Sequence, residues 1–291
     1  MRLLALASFV ALTAAAPAPA PVLSSTATDP VPSATPTDTE PGPPLQLKAA
    51  SISDVANLGF ATLNGGTTGG AGGNVTVVST LSEFTAAVSE KNPEPAIVVI
   101  NGTIVGDAKV RIGSNKTIIG LPGSGFVGVG LYFKRQRNLI LRNIVASFVE
   151  AKNGDVLGID GSTNVWVDHC EFYSSLAADK DFHDGLVDAT HGADYITISH
   201  TYFHDHWKGS LVGHNDDNAA EDQGKLHITY ANNHWKNVNS RGPLFRFGTG
   251  HIYNSMSTGI NTRMNAQLLI QNNVFRNVPL PITSRDSREV G

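Results

Sequence analysis

The chain has 291 residues, of which 41% are hydrophobic, so it can bury the core of one large domain or of two small ones. Its formal net charge is −4 at pH 7 and its basic residues form no continuous stripe, which argues against nucleic acid as the main partner. An acidic polymer stays compatible with this composition if the cations are concentrated at one place.

The N-terminal part of the chain predicts an exported precursor. Residues 1–16 combine a basic residue, an apolar run and then small side chains, which is the layout of a secretory signal peptide, and the run is too short to cross a bilayer. Residues 17–45 are rich in Pro, Ser and Thr and are predicted to be a linker or propeptide. We therefore expect a secreted, extracellular protein with no membrane association, whose folded domain covers residues 46–291.

Three sequons and a single cysteine follow in the predicted domain. Asn74, Asn101 and Asn115 match the acceptor pattern for N-glycosylation, which has meaning only in an exported protein. Cys170 is the only cysteine, so the fold must be held by packing and backbone hydrogen bonds rather than by an internal disulfide. We predict that Cys170 is a small core residue and not a reactive thiol.

Two segments precede the β-rich part of the chain. The glycine-rich stretch GGTTGGAGG, residues 65–73, lacks the ending of a phosphate-binding loop and is predicted to be a flexible surface turn. The stretch TLSEFTAAVSEKNP predicts a helix that Thr80 or Ser82 would cap. The apolar stripe of this helix would comprise Leu81, Phe84, Ala87 and Val88.

The rest of the chain consists of short β-rich runs that resemble one another, among them NLILRNI, NVWVDHCEF, YITISHTYF and LHITYANNHW. They recur at intervals of roughly twenty to thirty residues, without amphipathic helices between them. Each run can bury its apolar face only by stacking on its neighbours, which predicts an all-β fold, a right-handed parallel β-helix, with the helix as its N-terminal cap. A β-sandwich is the alternative, although it would require tight hairpin turns such as Asn-Gly between the runs.

Two further features of the sequence concern the predicted solenoid: the position of its asparagines and the end of the chain. Asparagines are predicted at the bends of the coils, where their amides can bond along the stack: Asn143, Asn232, Asn233, Asn272 and Asn273. The chain stops at SREVG without an evident capping segment, which leaves open whether the C-terminus is truncated.

Three aspartates are candidate metal ligands. Asp155, Asp184 and Asp188 would repel one another on adjacent coils unless a cation lay among them, and hard oxygen ligands suit calcium. Residues four apart on a straight strand are separated by about 13 Å, whereas oxygens that share one calcium ion lie within about 5 Å. The backbone between Asp184 and Asp188 must therefore bend, and Gly185 permits that bend. The plain alternative is that these aspartates are solvated turn caps.

Three cations follow the aspartates in the chain. Lys208, Arg241 and Arg246 would rise over the same face if the coils stack with this period, and they would then bind a polyanion together with the metal. Each of them taken alone is more often an ordinary surface charge. The nine histidines from His183 to His251 show no zinc-binding spacing and are predicted to stack along the coils or to lie in turns.

The segments NVWVDHCEF, DGLVDATHGADYITISHTYFHDHWKGSLVGH and RGPLFR resemble the pectate lyases of polysaccharide lyase family 1, in particular their fungal secreted type. The resemblance implies a parallel β-helix that cleaves α-1,4-linked polygalacturonate by calcium-dependent β-elimination. It also implies that the partner is this acidic plant cell-wall polysaccharide, and we expect a monomer.

The resemblance further implies roles for individual residues. Carried over position by position, the calcium ligands are Asp155, Asp184 and Asp188, the residues that grip substrate carboxylates are Lys208 and Arg246, and the catalytic base is Arg241. Asn153 stands where some members have a further aspartate. Because arginine is normally protonated, nearby positive charges would have to favour its neutral form, so we expect an alkaline optimum.

Three other functions are alternatives to this one. A pectin lyase acts on methylated, neutral substrate without calcium, and the family tends to place a cation at one calcium-ligand position, whereas Asp184 is acidic here. A polygalacturonase would need carboxylates paired as acid and base together with sequence elements that are missing from this chain. A non-catalytic carbohydrate-binding solenoid is the alternative from a different class.

Overall fold

The computed structural model describes residues 51–284. The predicted signal segment 1–16, the predicted linker 17–45 and the last residues of the chain lie outside the described residues, so these predictions stay open. Within the described part, none of the helices has the length and apolar character that crossing a bilayer requires.

Strands dominate the described residues. In chain order they are β1 (Asn74–Val78), β2 (Ala96–Ile100), β3 (Thr103–Arg111), β4 (Lys116–Gly120), β5 (Gly125–Lys134), β6 (Arg137–Arg142), β7 (Val145–Ser147), β8 (Leu157–Asp160), β9 (Thr163–Asp168), β10 (Glu171–Tyr173), β11 (Val187–Thr190), β12 (Asp194–Ser199), β13 (Tyr202–Lys208), β14 (Ser210–Val212), β15 (His227–Ala231), β16 (His234–Ser240), β17 (Leu244–Arg246), β18 (Thr249–Tyr253), β19 (Met256–Ser257), β20 (Ile260–Arg263), β21 (Gln267–Gln271), β22 (Val274–Phe275) and β23 (Ile282–Thr283). The helices are α1 (Leu81–Ala87), α2 (Ala219–Asp222) and the 3₁₀ turns Phe60–Thr62 and Ala151–Asn153.

The strands form two sheets in which all the pairings between named strands are parallel. One sheet follows the order β1-β2-β4-β6-β9-β12-β15-β18-β21. The other has two arms that meet at the long strand β5, whose N-terminal half pairs with β7 and whose C-terminal half pairs with β8. The first arm continues through β10, β13, β16, β19 and β22, and the second arm through β11, β14, β17, β20 and β23.

Each coil of the solenoid therefore contributes one strand to the sheet and one to each arm. The aligned positions in the sheet are separated by 18 residues (Gly250 to Leu268) to 32 residues (Ile196 to Ile228), so the predicted interval was nearly right. Coils differ in length because the loops that connect the strands differ in size, while the strands themselves change little. The parallel register confirms the predicted parallel β-helix and excludes the β-sandwich.

Helix α1 lies at the N-terminal end of the solenoid, as predicted, but it ends at Ala87 and is shorter than the sequence suggested. Thr80 caps it: the Thr80 side chain accepts from Glu83 N, and the Glu83 carboxylate accepts from Thr80 N. Phe84 is fully buried and packs against Phe126 with a ring-centroid distance of 4.7 Å. The helix thus covers the first coils with its apolar face.

The interior contains stacked side chains at equivalent positions of successive coils. Phe203 lies between Phe172 and Trp235 in the first arm, with ring-centroid distances of 5.8 and 3.9 Å. At the bend after β15, Asn233 donates to Ile198 O and accepts from Thr201 N, and Asn273 makes the same contacts with Ile252 O and Ser255 N, so these two amides bond along the stack as predicted. Cys170 is buried as predicted, and burial raises the pKa of its thiol to about 12.

The glycine-rich stretch differs from the prediction of a surface turn. Thr67, Gly69 and Gly70 are buried, because the segment lies flat on the outside of the first coils. Gly70 N donates to Thr117 Oγ1 (2.9 Å), and a Cβ on Gly70 would lie only 2.0 Å from Ala96 O. Glycine is required here because two backbones approach each other more closely than any side chain allows.

The sequon asparagines occupy different environments. Asn101 is exposed directly after β2, whereas Asn115 is half-buried before β4, donating to Pro93 O and accepting from Asn138 Nδ2. Asn74 is exposed at the start of β1.

Candidate active site

The three predicted acidic ligands, called the acidic cluster below, lie at the start of the second arm. Asp188 lies in β11, next to Gly158 of β8 in the register, and Asp155 and Asp184 lie in the turns that lead into these two strands. The backbone from Asp184 to Leu186 lies outside the strand, so the bend that the spacing required is present.

Gly185 brings two of the carboxylates together. Its amide donates to Asp155 Oδ1 (2.8 Å), and the point where a Cβ would sit on Gly185 is 2.7 Å from both Asp155 Oδ1 and Asp188 Oδ1. These two oxygens are therefore separated by at most twice that distance, which is close to the span that one calcium ion can bridge. A side chain at position 185 would displace both carboxylates.

The acidic cluster carries more negative charge than its surroundings compensate. Burial, followed by the charge of Asp184, raises the pKa of Asp155 to about 6. Burial and the charge of Asp155 raise the pKa of Asp188 well above its usual range, although Arg241 opposes this effect. Carboxylates that resist ionisation in this way would be stabilised by a bound cation.

Lys208, at the end of β13, is held beside the acidic cluster. Its ammonium group lies 3.1 Å from Asp184 Oδ1 and 3.4 Å from Asp181 Oδ1, and its side chain is 17% exposed. It thus stays within reach of an anionic ligand that binds over Asp184.

Arg241 follows β16 and points towards the acidic cluster. Its Nη1 lies 3.8 Å from Asp188 Oδ2, and its charge also acts on Asp155. The backbone of Arg241 is left-handed (φ 60°) and its carbonyl accepts from Ser210 N (2.7 Å), so the loop fixes the direction of the side chain. The side chain is 26% exposed and open to a ligand.

Arg246 lies at the end of β17, farther along the second arm. Its Nε donates to Asp216 Oδ1 (2.5 Å) and its Nη1 donates to Gly213 O (2.9 Å). These contacts hold the guanidinium group in place, as recognition of a planar carboxylate requires.

Two acidic residues of the site were not predicted from the sequence. Asp181 and Asp216 hold Lys208 and Arg246, and both lie in loops outside the repeating strands. No periodic signal marks such residues, because the loops differ in length from coil to coil. Asn153, which stands at a family ligand position, directs its amide towards Asp107 (2.6 Å).

The donor set fits calcium. Asp155 and Asp188, from two adjacent coils, supply hard oxygen ligands, and the cationic Arg241 lies beside them. Burial first and the charge of a neighbouring aspartate second raise the pKa values of these two carboxyls, and a bound cation would favour their ionised forms. The predicted site residues therefore lie together on one face of the solenoid.

A second acidic and histidine cluster lies elsewhere, at the end of β9. His169 and His200 stack with a ring-centroid distance of 4.5 Å, and both direct Nδ1 to Asp168. Asp168 also accepts from Arg142 and Ser199, so its oxygens are already engaged. Burial raises the pKa of Asp168, but these hydrogen bonds outweigh that effect and hold the pKa well below its usual range. We assign this cluster a structural role.

Comparison with known proteins decides the family. The family model described as pectate lyase matches residues 42–290. The chain belongs to the pectate lyase family. It is 54% identical over 227 residues to a probable pectate lyase B of Aspergillus terreus, covering 76% of this chain and 69% of the relative.

Other pectate lyases agree with this assignment. A pectate lyase of Emericella nidulans is 51% identical over 239 residues, covering 80% of this chain and 73% of the relative. A Bacillus pectate lyase solved in complex with trigalacturonate is 29% identical, with a TM-score of 0.66 over 81% of this chain and 94% of that chain. The structure of a thermostable pectate lyase is 25% identical, with a TM-score of 0.72 over 80% of this chain and 82% of that chain.

Proposed function

We propose that this protein cleaves polygalacturonate by calcium-dependent β-elimination and releases oligogalacturonates with a 4,5-unsaturated end. The observation that carries the proposal is that Asp155 and Asp188 converge beside Arg241, with Asp184 beside Lys208, in a member of the pectate lyase family. A surface that combines a cation site with guanidinium and ammonium groups is complementary to a polymer with one carboxylate per sugar.

Asp155, Asp184 and Asp188 would hold the calcium ion. When bound, calcium would neutralise the uronate carboxylate and so make the proton on the adjacent C5 more acidic. The contribution of the protein is to hold the Asp155 and Asp188 carboxylates in place before the ion arrives, through the Gly185 amide, which donates to Asp155 (2.8 Å), and the Leu211 amide, which donates to Asp188 (3.0 Å).

Arg241 would act as the base. It would take the C5 proton, the C5–H electron pair would form the C4=C5 double bond, and the bond from C4 to the glycosidic oxygen would break. The departing oxygen would take its proton from solvent. Water does not attack the sugar in this reaction, so the product differs from that of a glycosidase.

Lys208 and Arg246 would position the substrate. Both are braced by acidic residues, Asp184 and Asp216 respectively, and both are only partly exposed, so little side-chain freedom is lost when a carboxylate binds.

We also infer that the protein acts outside the cell as a monomer. The layout of residues 1–16 and the location of the substrate in plant cell walls support export. Mass spectrometry of the secreted protein would test the cleavage of this segment.

The test is incubation with polygalacturonate while ultraviolet absorbance is recorded. We expect absorbance from unsaturated product, its loss with EGTA, and its return with added calcium. Absorbance on methylated pectin that persists in EGTA would indicate a pectin lyase, and reducing ends without absorbance would indicate hydrolysis. Binding without either product would indicate a carbohydrate-binding solenoid.

A further inference from the structure

A group of cations surrounds one aromatic ring on the N-terminal side of the acidic cluster. Lys109 Nζ lies 4.1 Å from the centre of the Tyr132 ring, and the Arg111 and Lys134 cationic groups lie 5.8 and 5.9 Å from it. We name these four residues the N-terminal cationic patch. The function described above assigns them no role.

The register places this patch in line with the acidic cluster. Arg111 of β3 pairs with Tyr132 of β5, which pairs with Gly158 of β8, which pairs with Asp188 of β11. Neighbouring strands are about 4.8 Å apart, so Arg111 lies about 14 Å from Asp188 along the solenoid axis. The same outward-facing row thus carries the patch and a proposed calcium ligand.

Tyr132 connects the patch to the acidic cluster without a gap. A Cβ on Gly158 would lie 2.9 Å from Tyr132 Cδ2 and 3.5 Å from Asp155 Oδ2, so the ring fills the space that this glycine leaves open next to the carboxylate. The Tyr132 hydroxyl donates to Asp160 Oδ2 (2.5 Å), which fixes the ring. Lys109 Nζ is near enough to lower the pKa of Asp155 and so belongs to the same electrostatic environment.

The positive charge of the patch is only weakly compensated by the described residues. Among the described residues, no carboxylate lies within ion-pair distance of Lys109. The ion pair of Arg111 with Glu90 is long, at 3.7 Å, and so is that of Lys134 with Asp160, at 3.6 Å. The nearby Asp107 is engaged by Lys152 at 2.7 Å. A further anion can therefore approach Lys109 and Arg111, which are both exposed.

We propose that the N-terminal cationic patch is an additional subsite that binds carboxylates of a polygalacturonate chain extending past the acidic cluster. The inference rests on the proposed function, because it takes the same polymer as the ligand. Arg241 and Arg246 lie on the other side of the acids along the axis, so the polymer would be held on both sides of the cleaved bond.

The test compares long polygalacturonate with trigalacturonate, at saturating calcium, for the wild type and the double variant Lys109→Gln/Arg111→Gln. We expect KM for the long polymer to rise about tenfold with kcat unchanged, and the kinetics on trigalacturonate to stay within about twofold. The increase should shrink at high salt, because exposed charges are screened.

The matched control is Arg137→Gln/Lys225→Gln, which removes the same charge from exposed positions beside the other sheet. Equal changes on both substrates, or a double variant that behaves like the control, would overturn the subsite. Affinity electrophoresis in gels that contain polygalacturonate gives a readout independent of turnover: the patch variant should be retarded less than the control. If the wild type formed no unsaturated product, the proposed function would be contradicted. If the gel retarded both variants equally, the subsite would be contradicted, whatever the result on product formation.

Discussion

The residue scale shows which parts of the site a sequence can reveal. The resemblance to the family supplied the three acids as candidate ligands, and the spacing of Asp184 and Asp188 around Gly185 added a geometric demand, which the structure meets with a bend before β11. The partners of Lys208 and Arg246 could not be predicted. Asp181 and Asp216 lie 27 and 30 residues from the cations they hold, in loops that no periodicity describes.

The role of Arg241 is tested by substitution. Because a positioned base contributes about 10²-fold to 10⁴-fold, we expect Arg241→Gln and Arg241→Lys each to lower kcat by at least about 100-fold, with a smaller effect on KM. The measurement is the initial rate of absorbance increase on polygalacturonate, with circular dichroism as the check on folding. The exposed Arg137→Gln serves as the control. Retention of most of the rate by Arg241→Lys would show that the base is another group.

The raised pKa of Asp155, about 6, predicts how calcium binding depends on pH. A calcium ion needs the ionised carboxylate, so a proton must be displaced below this pKa and the affinity should fall as pH decreases through about 6. Calorimetric titrations with calcium between pH 5 and pH 8 check this, and binding near pH 6 should release protons into the buffer. A constant affinity across this range would contradict the prediction.

At the scale of the elements, the sequence reveals the repeats but not the boundaries of the individual strands and helices. The short runs predicted the strands because each has an apolar core residue at a fixed place, as at Phe172, Phe203 and Trp235. The glycine-rich stretch was misread because its burial comes from Ala96 and Thr117, which are distant in sequence. Helix α1 was predicted by its stripe, but the choice between Thr80 and Ser82 as its cap depended on the geometry of one turn.

This capping geometry gives a stability prediction. Because Thr80 takes part in a capping box with Glu83, Thr80→Ala should lower the free energy of unfolding by about 1 kcal/mol. Ser82→Ala changes an exposed residue inside the helix and should alter stability by less than about 0.5 kcal/mol. Denaturant unfolding of the two variants is the measurement. Equal losses would mean that the capping box does not stabilise this end of the solenoid.

At the scale of the whole molecule, the parallel stacking of the coils brings residues that are distant in sequence together in one site. Asp155, Asp188, Lys208 and Arg241 come from four successive coils, and only the parallel register of the two arms and the turns between them brings them onto one face. The resemblance to the family predicted which residues carry the chemistry. It did not predict the N-terminal cationic patch, because the alignment of Arg111 with Asp188 exists only through three strand pairings.

The most direct measurement is the initial rate of unsaturated product formation from polygalacturonate as a function of free calcium, for the wild type and Asp188→Asn. With the ion held among the three carboxylates, the wild type should be inactive in EGTA and saturate with calcium, while Asp188→Asn should need at least about tenfold more calcium for half its maximal rate. Product formation by the wild type in EGTA, or the same calcium curve for both proteins, would contradict the account.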